Sequence, residues 1–179
     1  MRGLNIKRKL GYACCLSDVV CFQEYHPHER IDLSSYKYKY EKLSGNRVKY
    51  GQAIFSKYPI INSGSVEFPN TANNAIYADV VKNDDTLRVY NVHLQSLGIE
   101  ENLEDLDRED SERVLKRARE TFKMQQEQAE LFVNHKESAP YKVVICGDFN
   151  NTAYSYIYKQ FKDAINLVGS AQVRCCLNQ

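Results

Sequence analysis

The sequence predicts an α+β or α/β sandwich in which mixed, largely antiparallel sheets are flanked by helices. Strand patterns separated by turn residues dominate the first two-thirds of the chain. A charged helical pattern follows over 99–136, and a short apolar run then ends at Gly147. With 179 residues, the chain is long enough to bury about two-thirds of its unfolded surface, so we expect one domain over 1–179.

The first elements are predicted from apolar runs and the turn residues that separate them. Up to residue 56 we expect a helix over 5–16, a strand over 18–24, a loop over 25–35, and strands over 36–43 and 48–56. The turn of Ser44, Gly45 and Asn46 joins the last two strands. Together these elements predict a sheet built from sequence neighbours.

A proline marks the next connection. Pro59 cannot donate a ladder hydrogen bond, so it takes the chain out of the sheet. The segment 59–74, which contains Gly64, is expected to be a loop. Strands follow over 75–82 and 86–94, joined by a hairpin at Lys82-Asn83-Asp84-Asp85.

Residues 99–136 predict an amphipathic helix after an acidic start. Apolar residues recur at three- and four-residue steps, namely Leu115, Ala118, Phe122, Ala129 and Phe132. The charged residues are interpreted as a solvated face. A coiled coil or partner helix is the alternative, although the apolar pattern does not persist over three or four heptads.

Charge and cysteine content narrow the class of protein. The 24 Lys and Arg nearly balance 23 Asp and Glu, which argues against gripping long nucleic acid by bulk charge. Two of the six cysteines, Cys21 and Cys146, lie in predicted core strands, and the others form adjacent pairs without metal-type C-x-x-C spacing. This indicates a reducing compartment. Because neither a transmembrane stretch nor a signal-peptide core is evident, a cytoplasmic location is favoured.

The run YKVVICGDFNN, residues 141–151, suggests a chemical site. Four apolar residues from Val143 to Cys146 predict a strand buried on both faces. Asp148 and Asn150 follow it directly, and such hard oxygen ligands suit Mg²⁺, which favours one or two carboxylates completed by substrate phosphate and water. The alternative is an Asx-turn or a helix cap at Asp148 or Asn150.

Three further segments strengthen the metal interpretation. An apolar run, DVVCFQEYH, ends near Glu24, and the strand pattern LRVYNVHLQS has His93 near its end. With GQAIFSKYPI at 51–60 and GDFN at 147–150, these segments resemble the endonuclease/exonuclease/phosphatase family in residue type and in order. The resemblance covers roughly residues 17–168.

The resemblance implies a four-layered α/β/β/α sandwich that hydrolyses a phosphodiester or phosphomonoester with Mg²⁺, with Mn²⁺ as the alternative cation. It implies a metal ligand at Glu24 and a metal-side or water-activating carboxylate at Asp148. Asn150 and His93 would contact the phosphate, with His93 as a possible proton donor, and Asn74, with Asn73, lies in a loop that could reach substrate. The alternatives are a surface carboxylate for Glu24, a structural histidine for His93 and plain turn residues for Asn73 and Asn74. Family substrates include nucleic acids, nucleotides, inositol phosphates and phospholipid head groups.

Two family motifs are missing from this pattern. Only Asn5 is available for an early asparagine on a first strand, and the tail LVGSAQVRCCLNQ has neither Asp nor His for a terminal Ser-Asp-His. We therefore expect a member that lacks its first strand and its C-terminal segment. Three hypotheses follow: a metal-dependent phosphoesterase, a catalytically inactive or incomplete member that acts as a binding module, and an unrelated α/β domain.

Overall fold

The computed structural model describes residues 17–27, 32–46, 49–98, 108–151 and 156–166. In this part of the chain the strands are β1 (Val19–Tyr25), β2 (Tyr38–Ser44), β3 (Tyr50–Ser56), β4 (Ile60–Glu67), β5 (Asn74–Lys82), β6 (Asp85–His93) and β7 (Lys142–Asp148). The helices are α1 (Arg108–Glu137) and α2 (Tyr156–Asn166). The helix predicted over 5–16 and the cysteine pairs near both ends lie outside the described residues.

The strands form two sheets. The first has the order β1-β3-β2 and is antiparallel throughout, and the second has the order β4-β5-β6-β7. In the second sheet only β6 and β7 are parallel. The chain passes from the first sheet to the second between Ser56 and Ile60, on either side of Pro59. The predicted mixed, mostly antiparallel sandwich is therefore confirmed.

The prediction of a loop over 59–74 is wrong for its first half. Residues Ile60–Glu67 form β4, which pairs antiparallel with β5 at the outer edge of the second sheet. Its Asn, Ser and Gly residues look like turn residues, but β4 is only half-buried and its pairing with β5 overrides weak β-propensity. Gly64 lies opposite Tyr77, and a Cβ at this position would fall 2.6 Å from the Tyr77 hydroxyl oxygen. Asn74, expected in the same loop, is the first residue of β5.

The hairpin between β5 and β6 has the predicted turn. Asn83 and Asp84 both have positive φ, 49° and 64°, as the two central residues of a type I′ turn require. Asn and Asp tolerate this conformation better than other non-glycine residues. The turn sets the register that pairs Lys82 with Asp85 and continues to Ala75 opposite Val92.

The described core has three layers. One apolar cluster fills the space between the sheets and includes Ile54, Ile76 and Val89. A second cluster lies between the second sheet and both helices, with Tyr90, Phe132 and Phe161 among its members. A third, smaller cluster covers the outer face of the first sheet around Phe55.

A buried ion pair links neighbouring strands of the second sheet. Arg88 donates to both carboxylate oxygens of Asp79, at 2.6 and 2.7 Å, and the guanidinium lies over the Tyr77 ring. Because this bidentate pair satisfies a buried carboxylate, the pKa of Arg88 rises further above its ordinary value.

The buried stripe of α1 differs from the predicted one. Ala129 and Phe132 are fully buried as expected, but Leu115 and Phe122 are 60% and 45% exposed. Thr121, Gln125 and Gln128 take inward positions in the middle of the helix instead. None of the helices in the described part of the chain has the length and apolar character that a membrane crossing needs.

Candidate active site

Two predicted site residues face each other where parallel strands end. His93 is the last residue of β6, Asp148 is the last residue of β7, and the two are partners in the parallel register. The backbone bond from the Leu94 N–H to the Asp148 carbonyl, 3.0 Å, continues this pairing beyond the strands. The parallel pairing of β6 with β7 thus brings together side chains that are 55 positions apart in the sequence.

Glu24 reaches the same place from the other sheet. Burial lowers the pKa of His93, while the negative charges of Asp148 and Glu24 act in the opposite direction. Strand β1 contacts β6 and β7, and Asn91 of β6 forms hydrogen bonds with the Gln23 side chain and the Phe22 carbonyl of β1. Glu24 therefore lies at the same end of the sandwich as His93 and Asp148, and these three residues make up the strand-end cluster.

A bulge in β1 presents Glu24. Between the pairs Phe22–Ala53 and Tyr25–Gly51, β1 has one residue more than β3, and Glu24 has a φ of 49°. A bulge of this kind bends the strand and re-aims a side chain. Glu24 is consequently exposed at the strand end while Tyr25 beside it is buried.

Gly147 is required by the close approach of β6. Its φ is 151°, and a Cβ at this position would lie 1.9 Å from the Val92 carbonyl oxygen. Only glycine accommodates both conditions. The glycine of the GDFN motif thus keeps His93 and Asp148 in register.

Asp148 and Asn150 form the turn that the alternative interpretation expected. One Asp148 carboxylate oxygen, Oδ1, accepts the Asn150 backbone N–H at 2.9 Å, which is an Asx-turn. Asn150 has a φ of 46° and its Nδ2 donates to the Leu94 carbonyl at 2.8 Å. This turn leaves Asp148 Oδ2 and the second Nδ2 hydrogen of Asn150 for other partners.

Asn74 lies behind the cluster in a polar layer between the sheets. It is 6% exposed, its Oδ1 accepts from Gln52 Nε2 at 2.5 Å, and its Nδ2 donates to Ser65 Oγ at 2.9 Å. Both ends of its carboxamide are therefore engaged within the protein. Asn73 Nδ2 donates to the Leu94 carbonyl at 2.6 Å, so it supports the segment after His93.

Helix α1 supplies amides that the sequence interpretation overlooked. Gln125 Nε2 donates to the carbonyls of Gln95, at 2.6 Å, and Asn150, at 3.1 Å. Gln125 Oε1 accepts from Asn151 Nδ2 at 2.7 Å, and Gln128 Oε1 accepts the Gln95 N–H at 2.9 Å. The sequence does contain a signal for these amides: Gln125 and Gln128 are three positions apart and lie on the same helix face as Ala129 and Phe132.

The carboxylates at the strand ends are suitable ligands for a hard cation. Among the described residues, no group of three His, Cys, Asp or Glu side chains could hold a metal by itself. Mg²⁺ does not require such a cage, because it commonly binds through one or two carboxylates and keeps several waters. The exposed Glu24 carboxylate and Asp148 Oδ2 match this pattern.

A groove of about 650 Å³ opens beside Asn150. Its described lining is uncharged and consists of Leu97, Phe122, Gln126, Asn150, Asn151, Tyr156 and Ile157. A similar groove of about 700 Å³ lies at the start of β7 and the end of α1, away from the cluster.

Comparisons with solved structures agree on the fold. The chain is similar to a β toxin of Staphylococcus aureus, with 23% identity over 90% of this chain and 64% of that one and a TM-score of 0.58. It is also similar to D. rerio TDP2 complexed with a single-strand DNA product, with 18% identity, coverage of 88% and 56%, and a TM-score of 0.57. Sphingomyelinase C from Streptomyces griseocarneus has 18% identity, coverage of 89% and 61%, and a TM-score of 0.55. The chain thus spans less than two-thirds of these structures.

Sequence comparisons identify the family. No curated protein matches the chain. The model of the endonuclease/exonuclease/phosphatase family matches residues 5–169, and the two-sheet sandwich agrees with that match. The chain therefore belongs to the endonuclease/exonuclease/phosphatase family.

Proposed function

We propose that this protein hydrolyses a phosphodiester or phosphomonoester bond with the help of a divalent cation, Mg²⁺ or Mn²⁺. The observation that carries the proposal is that β6 and β7 end side by side at His93 and Asp148, while β1 is bound to β6 directly before Glu24. Membership of the family and the similarity to a β toxin with bound magnesium ions (22% identity over 83% of this chain and 57% of that one, TM-score 0.57) support it. When bound, the cation would neutralise charge that develops on the phosphoryl oxygens.

Each residue has a role that its surroundings favour. Glu24 and the Oδ2 atom of Asp148 would hold the cation. Asp148 would also orient the attacking water, since its other oxygen is fixed by the Asn150 N–H. The free N–H of Asn150 would donate to a phosphoryl oxygen. The lowered pKa of His93 keeps its imidazole neutral at neutral pH, with one N–H for the phosphate or the leaving group.

The groove beside Asn150 would receive the organic part of the ester. Its uncharged amide and aromatic lining suits a neutral group rather than a second phosphate. The base of a nucleotide fits this lining better than the additional phosphates of an inositol polyphosphate.

Hydrolysis of bis-p-nitrophenyl phosphate tests the proposal. Wild-type protein with Mg²⁺ should release nitrophenolate, and chelation by EDTA should abolish the release. Glu24→Gln and Asp148→Asn should each lower kcat/KM about a hundredfold or more, equivalent to roughly 3 kcal/mol of transition-state stabilisation. Equal rates for the wild type and both variants would contradict the proposal.

A binding module without catalytic activity is the second candidate. Two observations support it: Asp148 already forms an Asx-turn with the Asn150 N–H, and the described residues contain no group of three His, Cys, Asp or Glu side chains that could hold a metal. Phosphoester binding in calorimetry, without turnover in the hydrolysis assay, would select this candidate.

A further inference from the structure

Asn91 is a buried amide at the interface between the two sheets. It is 0% exposed and lies two residues before His93 on β6. Tyr90 and Val92 belong to the cluster under the helices, whereas Val89 belongs to the cluster between the sheets. Since side chains alternate along a strand, Val89, Asn91 and His93 all face the first sheet.

Both ends of the Asn91 carboxamide bind β1. Its Nδ2 donates to the Phe22 carbonyl at 2.8 Å, and its Oδ1 accepts a hydrogen bond from Gln23 Nε2. These two residues directly precede Glu24, where β1 has its extra residue. One side chain of the second sheet therefore grips the first sheet at the bulge that presents the carboxylate.

We propose that Asn91 is a positioning residue that holds the β1 bulge and thereby aims Glu24 at the cation. The proposal deepens the proposed function and rests on it, because it assigns Asn91 a role in metal binding through Glu24. Asn91 and His93 then lie on the same face of β6. Asn91 fixes the geometry of the site from the interface between the sheets, and His93 lies in the site itself.

The chemistry of the pair explains why an amide is needed. The Phe22 carbonyl requires a donor and the Gln23 Nε2 group requires an acceptor, and the carboxamide of Asn91 provides them on two separate atoms. Asp at position 91 would provide the acceptor alone and would bring a negative charge between the sheets. An apolar residue would leave both groups of β1 without a hydrogen-bond partner. The loss would favour a relaxed strand in which the φ of Glu24 no longer has its strained value of 49°.

Mn²⁺ binding and amide hydrogen exchange together test the proposal. The variants are Asn91→Leu, Gln23→Leu and the double variant, with Val89→Ala as the matched control. Val89 lies on the same strand and the same face, is 5% exposed, and belongs to the apolar cluster between the sheets. Metal dissociation constants come from isothermal titration calorimetry, and exchange is followed at residues 23–25.

Asn91→Leu is expected to weaken Mn²⁺ binding about tenfold or more and to speed exchange at residues 23–25, relative to Val89→Ala. Gln23→Leu, which changes a partly exposed residue, should show a smaller effect, and the double variant should be no worse than Asn91→Leu alone. If Asn91→Leu matches Val89→Ala in both measurements, the proposal is overturned. If wild-type protein binds no Mn²⁺, the proposed function fails, and exchange at residues 23–25 still decides whether Asn91 holds the bulge.

Discussion

At the scale of single residues, the site depends on backbone positions that few residue types can adopt. Glu24 and Asn150 both have positive φ, and Gly147 has a φ of 151° with no room for a Cβ. A carboxylate and an amide at a strand end were predictable from the GDFN run. The positive φ of Glu24 was not predictable, because it arises from a one-residue mismatch between β1 and β3 that only the pairing reveals.

Gly147→Ala should damage the site without touching a functional side chain. The new methyl group would collide with the Val92 carbonyl and force an unfavourable φ, at a cost of about 2–4 kcal/mol in the free energy of unfolding. Urea unfolding measures this loss, and activity should fall with it. Asp148→Asn keeps an oxygen for the Asx-turn, so it should lower activity while stability changes by less than about 1 kcal/mol. A Gly147→Ala variant as stable as wild type would refute the steric argument.

At the scale of elements, the predictions from the sequence were wrong where polar residues form a strand or lie on the buried face of a helix. The Asn, Ser and Gly residues of β4 suggested a loop, yet pairing with β5 makes them a strand. In α1, counting apolar residues alone placed Leu115 and Phe122 inside, whereas both are exposed and Gln125 and Gln128 are buried. Single-residue preferences could not show this, because these glutamines bind loops that are distant in sequence.

Gln125→Leu should loosen two loops of the site at once. The substitution keeps the side-chain size but leaves the carbonyls of Gln95 and Asn150 without their donor. We expect a loss of roughly 1–3 kcal/mol in stability and a fall in kcat larger than the change in KM. Steady-state kinetics with bis-p-nitrophenyl phosphate measure both constants.

Glu127→Leu is the control for this change. Glu127 lies two residues further along α1, is exposed, and lines neither of the two grooves described above. It should keep the kcat of wild type. Equal kcat values for Gln125→Leu and wild type would show that the helix does not position the loops.

At the scale of the whole molecule, the order of motifs along the chain predicted which strand ends would meet. Two sheets facing each other bring β1 beside β6 and β7, so residues 24, 93 and 148 converge. The mixed, mostly antiparallel sandwich followed from the resemblance and from the strand pattern, whereas the parallel pairing of β6 with β7 is known from the structure. The polar layer of Gln52, Asn74 and Asn91 between the sheets did not, since it joins residues from three separate strands.

The fold should lose stability as the pH falls below about 6.5. Burial and the nearby Arg88 guanidinium lower the pKa of His135, which also forms a 3.0 Å hydrogen bond with the Tyr90 hydroxyl. In the unfolded chain the pKa of histidine is about 6.5. At pH values between the lowered folded-state pKa and about 6.5, the unfolded chain binds more protons than the folded protein. The free energy of unfolding is therefore highest above this pH range and decreases through it as the pH falls.

Urea unfolding at pH 7.5, 6.5 and 5.5 measures this dependence for wild type and His135→Gln. The variant should lose less stability between pH 7.5 and 5.5, because its amide does not titrate. Part of the slope should remain, since the pKa of His93 is lowered as well. Identical slopes for the two proteins would rule out His135 as a source of the pH dependence.

We expect Glu24 from one sheet and Asp148 from the other to bind a single cation. Anomalous X-ray diffraction from a crystal soaked in Mn²⁺ tests it most directly. We predict one anomalous peak at about 2.0–2.3 Å from a Glu24 carboxylate oxygen, beside Asp148 and His93, that disappears in Glu24→Gln. A peak bound only by other residues, or none at the ends of these strands, would contradict the account.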